Sequence, residues 1–115
     1  MFKIKGQNIH LNRGDAISIT INCNEPFSAG DTIKFSVCKK GDYSTIIFKK
    51  EFTVIEESNS YTIELTSEDT RLGSPLKSST AEYWYEIELN GDTTLIGFDE
   101  SGAKEFILYP EAAEV

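Results

Sequence analysis

Glu82, Trp84, Glu86 and Glu88 recur at every second position, so an extended backbone would stand three carboxylates and one indole on a single face. Paired carboxylates are the groups that hydrolyse glycosides, one acting as acid and the other as base or nucleophile. That chemistry needs an opposing carboxylate on a second strand across a cleft, and no second acidic strand is visible. The four residues are therefore read as a candidate interaction surface on a solvated strand face. Trp84 is the member able to anchor a protein contact or to stack on a sugar. His10 is the single histidine, so a multi-histidine metal site is ruled out and a nucleophile-histidine pair depends on it alone. Flanked by Ile9 and Leu11, it reads as a strand residue. Asp92, Asp99 and Glu100 offer oxygens to calcium, but their spacing fits no calcium-loop signature. Arg13-Gly14-Asp15 spells an integrin-binding tripeptide, and its plainer reading is a polar turn leading into a strand. These groups yield no catalytic set, no metal site and no cofactor.

The elements that must carry these residues are set by charge and periodicity. The 115 residues hold 19 acidic and 11 basic side chains, a formal charge of -8, which argues against a nucleic-acid partner because phosphate contacts need clustered Lys and Arg. It also disfavours an anionic membrane surface. No apolar run reaches 18 residues, and Met1 leads directly into Phe2-Lys3-Ile4-Lys5, so neither a membrane span nor a secretory signal is read. The expectation is one domain over residues 1–115 with a short flexible tail at 111–115, made in the bacterial cytoplasm. Two cysteines are too few for a disulfide scaffold, and Cys23 and Cys38 sit on opposite strand parities, so both are read as free thiols, buried or half-buried. Residues 1–55 carry +3 and residues 56–115 carry -11. If the Glu82, Glu86 and Glu88 face opposes a patch of Lys34, Lys39, Lys40, Lys49 and Lys50, head-to-tail contacts between copies follow.

Almost everywhere the hydrophobic period is two. Ile17, Ile19, Ile21 and Cys23 alternate with Ser18, Thr20 and Asn22. Ile33, Phe35 and Val37 point inward in a strand whose Lys34, Ser36 and Cys38 face out. Asn24 to Asp31 reads as the turn-rich connection between these two strands. Ser44 to Val54 contains the unbroken Ile46-Ile47-Phe48, which marks a bulge or a crossing between sheets. Tyr61, Ile63 and Leu65 make a short strand, and Ala81 to Leu89 the longest alternating run. Asn90-Gly91 predicts a tight hairpin into Thr93 to Phe98, and Lys104 to Tyr109 is the last strand, ended by Pro110. Thr66-Ser67-Glu68-Asp69 reads as one capped helical turn. Seven to eight short strands with one short helical turn indicate an all-β fold, an antiparallel β-sandwich of immunoglobulin-like topology. In that topology Tyr83 or Tyr85 is placed for the tyrosine hydrogen bond at the sheet-crossing corner.

Arg13-Gly14-Asp15 before an alternating strand, Asp31 to Val37, Ile46-Ile47-Phe48-Lys49-Lys50, Tyr61 to Leu65, Ser67 to Thr70 and Tyr83-Trp84-Tyr85-Glu86-Ile87 together carry a resemblance. Over roughly residues 8–110 the chain resembles the family typified by the N-terminal domain of the phage baseplate upper protein, whose members continue beyond this length into a stalk or receptor-binding region. The resemblance implies a structural sandwich of a phage or prophage tail tip, incorporated into a virion and packed against copies of itself or neighbouring tail proteins. The alternative is a carbohydrate-binding or adhesive sandwich contacting its ligand through Trp84, Tyr83 and Tyr85. A small hydrolase ranks below both.

Overall fold

The computed structural model of the chain describes residues 3–5 and 7–111, with side chains from Gln7 onward. Among the described residues nine strands run in order: β1 (Lys3–Lys5), β2 (Asn8–Asn12), β3 (Ile17–Phe27), β4 (Thr32–Lys39), β5 (Asp42–Thr53), β6 (Ser58–Leu65), β7 (Ala81–Leu89), β8 (Thr93–Ile96) and β9 (Lys104–Tyr109). They form an all-β sandwich. One sheet has the order β1-β2-β9-β7-β4-β5 with β8 added alongside β7, and the other is the β3–β6 pair alone. Every pairing is antiparallel except β2 with β9, which run parallel. Of the tail expected at 111–115, Glu111 is held by Arg71 at 2.9 Å, and residues 112–115 lie outside the described residues.

The alternating residues explain why the two sheets close. Ile17, Ile19 and Ile21 of β3 stand opposite Leu65, Ile63 and Tyr61 of β6, so the smaller sheet presents one aliphatic face. Against it lie Ile33, Phe35 and Val37 of β4, Tyr85 and Ile87 of β7, Phe106 and Leu108 of β9, and Ile9 and Leu11 of β2, all buried. At the centre, Phe35 stacks on Tyr85 with ring centroids 5.6 Å apart and meets Phe106 edge-on at 5.8 Å. The Tyr85 hydroxyl donates to the Gln7 carbonyl, fixing the β1–β2 turn to the core. This is a different bond from the corner contact expected of Tyr83 or Tyr85, because it reaches the other end of the chain. Tyr83 instead brings its hydroxyl close over Gly73.

The loops follow their sequence signals with two departures. Asn90 and Gly91 both take positive φ, 54° and 71°, and Asp92 N–H donates to Leu89 at 3.2 Å, the geometry that matches strand twist. Thr66 and Asp69 exchange hydrogen bonds, the Thr66 amide to the Asp69 carboxylate at 2.9 Å and the Asp69 amide to the Thr66 hydroxyl at 3.2 Å. This is a capping box around a single turn, and no helix propagates from it. The connection expected from Asn24 is shorter than read. β3 continues to Phe27, which pairs with Ser58 after a shift in register. The strand expected over Thr93 to Phe98 stops at Ile96, where Gly97 is buried against Glu86 and Thr94 and the chain turns away.

Candidate functional site

The four residues singled out on β7 lie where their parity put them, on the face of the seven-stranded sheet turned away from the core. Trp84 stands opposite Cys38 of β4 on one side and Glu105 of β9 on the other, and Cys38 stands opposite Ile46 of β5. Residues directly opposite in a sheet share a face. An apolar row therefore crosses the outer surface from β7 to β5.

The register around this row is broken twice. Val37 pairs with Phe48, Cys38 with Ile46 and Lys39 with Asp42, so Ile47 is one extra residue and Tyr43 to Thr45 are three more. The second bulge is held by Asp42, whose carboxylate accepts from the Ser44 amide at 2.9 Å, the Ser44 hydroxyl at 2.5 Å and the Thr45 hydroxyl at 2.7 Å. These hydrogen bonds pull the Asp42 carboxyl down to about 2. The bulge lifts Tyr43 over the outer face, where its ring meets Trp84 with centroids 5.2 Å apart. From the opposite side the β8–β9 connection brings Phe98 to within 6.5 Å of the same indole. Phe98 keeps 65% of its surface exposed, Ile46 49% and Ile47 43%.

A depressed carboxyl stabilises the fold above its unfolded value, near 4, and that contribution is lost as pH falls toward about 2. Asp42→Ala is expected to free the bulge and uncover the indole. Trp84 is the single tryptophan, so its emission should shift to the red in the variant at neutral pH, and in the wild-type chain only below the ordinary carboxylate range. Identical spectra for variant and wild type at neutral pH would contradict this role for Asp42.

Charged residues frame the apolar row. Lys40 pairs with Glu82 at 2.6 Å, and Lys34 with Glu88 at 3.3 Å. The lysines thus stand beside the glutamates on one face, Lys34 as the ladder partner of Glu88 and Lys40 from the turn just after β4, and do not form an opposing pole. Lys50 departs further: it lies on the core-facing side of β5, where it pairs with Asp69 at 2.7 Å. Glu86 lies between these pairs, opposite the buried Ser36. Burial and the neighbouring Glu88 carboxylate hold its carboxyl above the usual range.

A raised carboxyl costs stability once it is ionised, so that cost is absent below the unfolded value and present at neutral pH. Glu86→Gln is therefore expected to raise the Tm at pH 7 and to leave it unchanged in acid. A variant that melts lower than wild type at pH 7 would overturn this assignment.

Ser36 is buried against its outward parity, and Cys38 is a buried free thiol as expected. They have the outward parity, yet each is buried, at 2% and 1% exposure: Tyr43 and the bulged start of β5 close over the Cys38 end of the face, and Ser36 lies between Glu86 and Lys49. Burial, then the carboxylates of Glu86, Asp42 and Glu88, push the Cys38 thiol up, leaving it protonated and inert at neutral pH. Cys23 is half-buried, and both thiols are free, as their opposed parities required.

The other singled-out residues have structural surroundings. His10 lies in β2, its Nδ1 3.0 Å from the Tyr109 hydroxyl and its ring stacked on that tyrosine. Arg13 is buried, and its guanidinium donates to the carbonyls of Leu72 at 2.9 Å, Gly73 at 3.0 Å and Arg71 at 3.2 Å, so the tripeptide presents no free arginine to a receptor. Asp92 accepts from the Thr93 hydroxyl at 2.9 Å, and Asp99 pairs with the buried Lys104 at 2.7 Å. Among the described residues no three His, Cys, Asp or Glu side chains converge as a metal site. Tyr83 and Tyr85 do not join Trp84 in one surface. Strand alternation sends them to the core side, and Tyr85 is 1% exposed.

The members of the surface missing from the sequence reading are Tyr43, Ile46, Ile47 and Phe98. Ile46-Ile47-Phe48 did signal a bulge, and Phe98 was an apolar residue between Gly97 and a run of turn formers. Neither signal said which face the residue would join. Comparison with family models, with curated proteins and with solved structures finds no match.

Proposed function

We propose that this chain is a non-enzymatic structural module of a phage or prophage tail, docking onto copies of itself or other virion proteins through the outer face of its larger sheet. The observation that supports this reading is the apolar row in which the exposed Phe98, Ile46 and Ile47 flank the half-buried Trp84, framed by the Lys40–Glu82 and Lys34–Glu88 pairs. An apolar centre with an aromatic anchor and a polar rim is the anatomy of a protein-binding patch. The resemblance over residues 8–110 supplies the tail setting. For the carbohydrate reading, Tyr43 and Phe98 lean on the Trp84 ring and occupy much of the surface a sugar would stack on, which favours protein over glycan.

Co-expression with the products of neighbouring genes, followed by affinity purification, tests the proposal. The expected result is retention of at least one tail protein by the wild-type chain and its loss from Phe98→Asp. Retention of none, or equal retention by the variant, would overturn the proposal. Binding of the wild-type chain on a glycan array would favour the alternative.

A further inference from the structure

The outer face has a pattern that selects its own copy. Across the apolar row, β7 carries Glu82 and Glu88, and β4 and the turn after it carry Lys34 and Lys40, each lysine already beside one of those glutamates. Phe98 projects from the β8–β9 connection, on the side of β7 away from β4, while Ile46 and Ile47 lie at the far side on β5. Acid and base, knob and apolar ledge, are thus arranged as left and right of a line running between β7 and β4.

We propose that two copies of this chain pack face to face about a two-fold axis parallel to the strands, running between β7 and β4 of each. Such an axis lays β7 of each copy over β4 of the other. Glu82 then meets Lys40 of the second copy, Glu88 meets Lys34, and Phe98 covers Ile46 and Ile47. Both lysine-paired glutamates thus meet lysines, Glu86 meets Ser36 and Glu105 comes opposite Ile46, so no like charges are forced together. A copy shifted sideways or turned end over end loses that match. The contact is isologous and closes at two subunits, in contrast to the open head-to-tail series that opposed poles would have produced. This inference rests on the outer face being the contact surface and adds the identity of its occupant.

Sedimentation equilibrium of the full chain provides the test. The wild-type chain is expected at twice its 12.9 kDa mass, and the double variant Ile46→Asp with Phe98→Asp as a monomer of unchanged Tm, both sites being exposed in the single chain. The charge variants test the axis. Lys34→Glu with Lys40→Glu, and separately Glu82→Lys with Glu88→Lys, should each self-associate at least about tenfold more weakly, and the two mixed should form a one-to-one heterodimer. A monomeric wild-type chain into the millimolar range, a dimer that survives the Ile46 and Phe98 changes, or charge variants that associate no better mixed than alone would each overturn the two-fold arrangement. Should the charge variants unfold, the Ile46 and Phe98 result decides alone. A monomeric wild-type chain that still retains a tail protein fails this inference and leaves the proposed function standing. A dimer that retains no tail protein does the reverse.

Discussion

Truncating Phe35 to alanine is expected to destabilise the domain by about 3–5 kcal/mol, measured as the shift in the urea midpoint at constant slope. Phe35 has no exposed surface and is the ring on which Tyr85 stacks and Phe106 abuts. Removing it forfeits the apolar burial of a whole ring and leaves a void between two sheets, one of which, β3–β6, has only two strands to follow the collapse. Two aromatic contacts, each worth about 0.5–1.5 kcal/mol beyond area, go with it. Against a total stability of about 5–15 kcal/mol, the variant should be partly unfolded near body temperature. Phe35→Leu should recover roughly half of the loss, since most of the volume is kept while the ring contacts go. A loss near 1 kcal/mol for Phe35→Ala would mean that this ring is not the centre of the core.

Arg13→Ala should cost about 3 kcal/mol and lower the Tm by about 10 °C. The guanidinium satisfies three consecutive carbonyls, those of residues 71, 72 and 73, in the long connection between β6 and β7. That connection has no strand of its own to satisfy it. A planar fork reaches all three acceptors from one side chain, whereas an ammonium is a point donor, so Arg13→Lys should recover little of the loss. Faster amide exchange confined to residues 66–80 would separate this local role from general unfolding. The neighbouring Gly14 takes φ +89°, and a Cβ there would lie 2.6 Å from the Glu111 carboxylate, so the turn after Arg13 requires glycine.

The strands were legible wherever one face is buried, because alternation of apolar and polar residues is then enforced over the whole length. β7 and β9 appear with the expected ends, and the two-sheet arrangement follows from them. Reading failed where strand parity stops deciding burial. Cys38 has outward parity but is covered by a bulge that Asp42 organises two to three residues away, and such a bulge is fixed by carboxylate bonds to one amide and two hydroxyls that hydropathy does not register. Lys104 shows the opposite case. It has inward parity and is 4% exposed, yet it is charged, and its ammonium is satisfied by Asp99 at 2.7 Å and the Gly102 carbonyl at 3.2 Å. The grouping of Trp84 with Tyr83 and Tyr85 fails by the same period-two rule that placed Trp84 correctly. The surface itself was half legible. Trp84 and its glutamates follow from one strand, but Tyr43, Ile46 and Phe98 join them only through the register between strands, which no local pattern contains.

The parallel pairing of β2 with β9 has a mechanical consequence. The chain enters β2 at one end of the molecule and leaves β9 at the other, so a pull on the two ends drags these strands past each other along their length. Their inter-strand bonds at residues 9–12 and 106–109 are loaded together, in shear. An antiparallel pair drawn from adjacent ends opens one bond at a time, like a zipper. β1 is such a pair with β2 and would peel at low force, after which the tension falls on the parallel clasp. In an assembly that transmits force along a row of domains, the clasp would set the load at which this one gives way.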